Sequence, residues 1–226
     1  MVYSSNIVKL FFHPEDHLFR IREAEKITHT TRLTFLLIGL CLVVYGWMSW
    51  LGIGSAPISA NAVTMPQPNY ETAKVWFLIA RLAYALLFAL FILTVPTCFF
   101  WLFYNIPFKK IVIMQLLVLS VLLVERLLWI PLFIYAGLEW YVSPLSFGII
   151  ASRLTEIPLL IHLLGVISIF QLWIVGFQVR YLSYLSKVYK AWIWTGVLLF
   201  HFTVWFIAAF VSSYDSYLIN MITERW

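Results

Sequence analysis

Five stretches of this chain are each long and apolar enough to need a bilayer, and no other feature narrows the fold as far. They are residues 33–54, 75–104, 111–137, 157–179 and 191–211. At about 1.5 Å of rise per helical residue, each can cross the roughly 30 Å of hydrocarbon in a membrane. A soluble core could not hide this much apolar surface, since 63% of the 226 residues are hydrophobic and 11% charged, against roughly 25% charged in an ordinary soluble domain. The expected fold is therefore all-α, a polytopic integral membrane helical bundle with five transmembrane helices. A leader of residues 1–32 would precede the membrane domain of 33–212, and a short tail, 213–226, would follow it. The second stretch has 30 residues, more than one straight crossing requires, so it is expected to tilt, kink near Pro96 or project from the membrane.

Basic residues set the orientation, because Lys and Arg in short loops are retained inside. Lys9, Arg20, Arg22, Lys26 and Arg32 precede the first stretch; Lys109 and Lys110 join the second to the third; Arg180, Lys187 and Lys190 join the fourth to the fifth. The other side has Lys74, Arg153 and Arg225. The N-terminus is thus expected in the cytoplasm and the C-terminus outside. The net charge of +5 then reports on loops near anionic lipid, and nucleic acid is not expected as a partner.

The leader carries its own signals. Pro14 suits a first helical position, and Glu15 and Asp16 place acids at the positive end of a helix dipole. Leu18, Ile21 and Ala24 recur at helical spacing beside Arg20, Arg22 and Lys26, which predicts an N-terminal interfacial amphipathic helix with its apolar side in lipid and its cations at headgroups. Lys187 and Lys190 are expected to anchor the last inner loop in the same way. The charged leader and the 22 apolar residues after it exceed the usual sizes of a signal peptide, so cleavage is not expected. Residues 55–73 read as a polar outer loop, and residues 139–156 as a segment along the outer interface. Cys41 and Cys98 lie within spans, where thiols behave as small hydrophobes. No phosphate-binding loop or zinc spacing occurs, so neither an enzymatic activity nor a cofactor or metal is expected.

Ionisable residues inside the spans are the candidate functional groups, because lipid-buried charge is costly and normally faces the bundle. Counting from the assigned ends brings Arg81 and Glu125 to a similar depth, with His162 near them and His201 closer to the midplane. Arg81 and Glu125 are expected to pair. Arg126 stands about 100° away around its helix and is expected to snorkel or to meet Glu156. Such a layer either fixes helix register or lines a hydrated pocket.

The leader LFFHPEDHLFRIREAEKI, the stretch SPLSFGIIASRLTEI, and GVISIFQLWIVGFQVRYLSYLSKVYKAW together resemble bacterial members of the Yip-type family, five-span membrane proteins named for Ypt/Rab-interacting relatives. Phe170 and Trp173 occupy that family's Phe-x-x-Trp pattern, and Ser168 and Ile169 stand where an acidic residue often precedes it. The resemblance implies a non-enzymatic protein of the bacterial cell membrane that works through partners. The partners implied are the permease and ATPase of an ABC-type exporter of peptides or toxins. The alternative is a small-molecule or proton-coupled transporter using Arg81, Glu125, Arg126, His162 and His201.

Overall fold

A computed structural model describes residues 2–4, 7–12, 14–59, 63, 65–136 and 145–213. Short elements come first: strand β1 (Val2–Ser4), helices α1 (Ile7–Phe12) and α2 (Pro14–Glu23), and strand β2 (Lys26–Thr28), which pairs in parallel with β1. The long helices follow, α3 (Thr30–Trp50), α5 (Gln67–Tyr104) and α6 (Phe108–Ala136), with the short α4 (Ala56–Ser59) between the first two. After these come α7 (Gly148–Leu154), α8 (Pro158–Val166), α9 (Ile169–Leu185) and α10 (Lys190–Ser213). Apart from the two three-residue strands the fold of the described residues is all-α.

Among the described residues four helices are long and apolar enough to cross a membrane, α3, α5, α6 up to Tyr135, and α10, consistent with an integral membrane protein. The fourth apolar stretch of the sequence is broken. Ile167 and Ser168 adopt extended backbone between α8 and α9. A break in an apolar environment must satisfy the backbone groups it frees. Here Phe147 N–H donates to Ile167 O at 3.2 Å and Ile169 N–H to Leu145 O at 3.1 Å, an isolated antiparallel bridge centred on Ser146 and Ser168.

The expected outer loop of 55–73 is also partly helical, because α5 begins at Gln67 with Pro68 in its first turn, where the missing N–H costs nothing. At 38 residues α5 runs about 57 Å, so it projects well beyond one hydrocarbon thickness. It passes through Pro96 as one helix. Residues 139–144 of the expected interfacial segment and the tail 214–226 lie outside the described residues.

The central helix is α6, with 67% of its apolar stretch buried, against 28%, 17% and 28% for α3, α5 and α10. One side of it, Leu116, Leu119, Leu123 and Ile130, packs with Cys41, Val44 and Met48 of α3 and Ala85 and Ala89 of α5. The other side, Met114, Leu117, Val118, Val121 and Leu122, packs with Ile174, Val175 and Tyr181 of α9 and Val197 and Trp205 of α10. Leu10, Leu18, Ile21 and Ala24 of the leader join this second core and are 5% exposed or less. The apolar stripe of α2 is therefore buried on protein rather than laid on lipid. Its cationic neighbours Arg20, Arg22 and Lys26 are exposed, as are Lys187 and Lys190.

Candidate functional site

Two polar layers lie within the bundle. The deeper one joins three helices through side chains that carry no fixed charge. His201 of α10 lies 2.7 Å from Gln178 of α9, imidazole Nε2 to amide Oε1, and the Gln178 Nε2 donates to Gln115 Oε1 of α6 at 3.5 Å. Gln115 is fully buried, Gln178 is 1% exposed and His201 7%. The arrangement is a directional chain with its final donor, Gln115 Nε2, unsatisfied among the described residues. The His201 ring is further held edge-on to Phe200 and 5.4 Å from Trp205. Interhelical hydrogen bonds of this kind are each worth about 1 kcal/mol in a membrane. Chemically the triad is suited to holding helix register, and its burial leaves no aqueous approach among the described residues.

The second layer lies toward the end of the bundle away from the leader. Arg81 of α5 projects over the Tyr45 ring of α3 at 5.8 Å and the Phe77 ring at 5.9 Å, and its Nη2 donates to Ile53 O at 3.5 Å. Arg126 of α6 stacks on Trp129 at 4.1 Å. Both guanidiniums stand within electrostatic reach of the Tyr45 hydroxyl. Tyr84 completes the layer, its ring 5.6 Å from Tyr45.

The adjacent pair Glu125 and Arg126 diverges as helical geometry requires, but in the opposite sense to the expectation. Arg126 continues the line of Leu119 and Leu123 toward α3 and α5, whereas Glu125 continues the line of Val118, Val121 and Leu122 toward the other core. Among the described residues no ion pair joins Arg81 to Glu125, and none joins Arg126 to Glu156; ion pairs there include Lys74 with Glu71 at 2.8 Å and Arg180 with Glu15 at 2.6 Å. Glu125 is 5% exposed. His162 sits half-buried on α8, apart from the His201 chain. Of the five candidate residues, Arg81 and Arg126 therefore stand near Tyr45, whereas His201 belongs to the deeper triad. Gln115 and Gln178 were reachable from the sequence, since an amide inside an apolar run is itself a signal, but a search confined to ionisable groups passes over them.

At the leader end, Glu15 and Arg180 tie α2 to α9, Arg22 lies over the Tyr184 ring at 5.6 Å, and the Lys110 ammonium donates to Arg22 O at 2.8 Å. Phe170 packs against the second core. Trp173 stacks on Phe177 with centroids 5.3 Å apart and planes 3° from parallel, and lies 5.3 Å from Phe11. Among the described residues no three His, Cys, Asp or Glu side chains gather as a metal ion would require. No protein-family model matches the chain, nor does any curated protein or solved structure.

Proposed function

We propose that this chain is a non-enzymatic accessory or assembly subunit of a larger membrane complex, of the kind formed around the permease and ATPase of an ABC-type exporter of peptides or toxins. The observation that carries the reading is how the chain divides its surface. Its buried amides and His201 serve contacts between its own helices, while α3, α5 and α10 turn long apolar faces outward, including Phe35, Val43, Leu87, Leu102, Leu199 and Phe206. Those faces are open to lipid or to the helices of a partner, which is what an accessory subunit requires. The reading takes α9, at 17 residues or about 25 Å, as a fifth crossing, and takes the basic leader as cytoplasmic and the C-terminus as outside a bacterial cell membrane on the distribution of Lys and Arg. The likeness of the leader and of the Phe170 and Trp173 segment to Yip-type proteins points the same way.

The test is a mild-detergent pull-down of the tagged full chain from its native membrane. The expected result is co-purification of an ABC permease with its ATPase. Recovery of folded protein alone overturns the reading. A proton-coupled carrier is the second reading, and one observation favours it: the interruption at Ile167 and Ser168, since broken helices often line transporter sites. Reconstituted protein that moves no solute and no protons would remove it.

A further inference from the structure

A cleft of about 350 Å³ runs between the leader and α9. Its walls are Leu10, Phe11 and Leu18 of the leader and Trp173, Gly176 and Phe177 of α9, with Arg180 at one end. Two contacts bridge these walls: the Phe11 ring lies 5.3 Å from Trp173, and the Glu15 carboxylate meets Arg180 at 2.6 Å, about 10 Å further along α9. A helix is about 10–12 Å across and cannot pass between walls joined in two places, whereas a single flexible chain can. Gly176 lies between the two contacts, and a methyl group placed on it would meet nothing within 4 Å. The middle of the cleft is therefore open.

Depth identifies the chemistry of that chain. Gln178, in the same stretch of α9, meets Gln115 of α6 and His201 of α10, which stand about 10 Å and about 16 Å from the starts of those long apolar helices. Residues 173–180 thus lie abreast of hydrocarbon. The Arg180 end is the shallower one, because the next residue, Tyr181, donates its hydroxyl to Lys110 O at 2.6 Å near the start of α6. An empty apolar slot at this depth forfeits dispersion contacts, and water in it finds few polar partners. Phe11 and Trp173 are 45% and 39% exposed, so the slot opens sideways to a lipid tail. Charge at the shallow end favours an anionic headgroup, since residues 1–32, 105–110 and 180–190 hold ten Lys and Arg against four Asp and Glu. Arg180 gives Nη2 to Glu15, and a guanidinium has five N–H donors in a planar fork, so it can hold that carboxylate and a phosphate oxygen together.

We propose that this cleft seats one acyl chain of an anionic phospholipid from the leaflet on the leader's side of the membrane, with the lipid phosphate at Arg180. The tail lies along Trp173, Gly176 and Phe177, opposite Leu10 and Leu18, so that the leader clasps a lipid against α9. This site does not depend on the accessory reading.

The test uses the full chain in neutral detergent with a trace of phosphatidylglycerol carrying a diazirine in its acyl chain, and peptide mass spectrometry to map the photolabelled residues. Wild type should be labelled at Phe11 and from Trp173 to Phe177. Unlabelled phosphatidylglycerol should suppress that label about fivefold more effectively than phosphatidylcholine, as one cation near a headgroup gives. Label on Phe35 and Leu36, exposed on α3, reports unselective lipid and should fall equally with either competitor. Gly176→Leu fills the cleft without a clash, so it should abolish the cleft label without lowering the thermal unfolding temperature or changing the label on α3. Arg180→Gln should remove the preference for phosphatidylglycerol. Because that change also breaks the contact with Glu15, Glu15→Gln serves as the control, and it should keep the preference. Cleft label that survives Gly176→Leu, or that both lipids suppress equally, overturns the proposal. Absence of cleft label from wild type while α3 is labelled also overturns it, and assigns the cleft to an apolar side chain of a protein partner.

Discussion

The hydroxyl of Tyr104 shows how closely the helices of this bundle approach. It donates toward Ile193 O at 3.3 Å and Trp192 O at 3.4 Å, tying the end of α5 to the start of α10. A methyl group on Gly196 would fall 2.0 Å from that oxygen and 3.2 Å from the ring carbon bearing it. Gly196→Ala should therefore destabilise the protein by about 1–3 kcal/mol through forced repacking. Tyr104→Phe should cost about 1 kcal/mol, the loss of a hydrogen bond. Combined, the two should be less destabilising than their sum, because removing the oxygen relieves the worst overlap; chemical unfolding in micelles would measure all three, and strict additivity would refute the clash. The polar triad makes a similar claim. Replacing His201 with Phe and Gln178 with Leu, singly and together, should reveal a coupling of about 1 kcal/mol, and zero coupling would mean that the 2.7 Å contact contributes nothing. His201 stood out in the sequence because it titrates. Its partner did not, because nothing in a charge-based search distinguishes Gln178 from the apolar residues around it.

The broken stretch between α8 and α9 marks where hydropathy stops being informative. Hydropathy reads residues 157–179 as one continuous span, since every residue near the break is apolar or small. The capping pattern tells otherwise. Ser168, Ile169, Phe170 and Gln171 form an S-x-x-Q box, a signature of a helix start, and the Ser168 hydroxyl accepts from Gln171 N–H at 3.2 Å. Ser168 is fully buried, so no water substitutes for that acceptor. Ser168→Ala should lower stability by about 0.5–2 kcal/mol. It should also speed amide exchange at Gln171 while leaving that of the α10 core unchanged; unaltered exchange at Gln171 would show that the cap is dispensable. The four long helices were legible from length and composition, and Pro14 and the acids after it announced the start of α2. The sense in which Glu125 and Arg126 diverge was not legible, because helical periodicity fixes the angle between neighbours but not which neighbouring helix each one faces.

The position of the leader follows from the same ambiguity carried to the whole chain. An apolar stripe of Leu18, Ile21 and Ala24 looks the same in sequence whether it meets lipid or protein, and only the surrounding surface decides between them. In the folded chain that surface is supplied by α6 and α9. Leu10, Leu18 and Ile21 enter the core that holds Tyr181 and Leu182, the Glu15 carboxylate reaches Arg180, and Phe11 meets Trp173. The exposed ion pair adds little on its own, so the buried apolar contacts fix the leader. The leader should then remain docked in the membrane at high salt, which would release a segment held chiefly by headgroup electrostatics. Cysteines at Phe11 and Trp173, in a background with Cys41 and Cys98 replaced by Ala, should cross-link in intact membranes at both low and high salt. Phe19, 56% exposed on α2, provides the control, since Phe19→Cys with Trp173→Cys should not react. Equal cross-linking by the two pairs would mean that the leader slides over the surface instead of occupying one seat, and loss of the Phe11 pair at high salt would return it to the lipid interface.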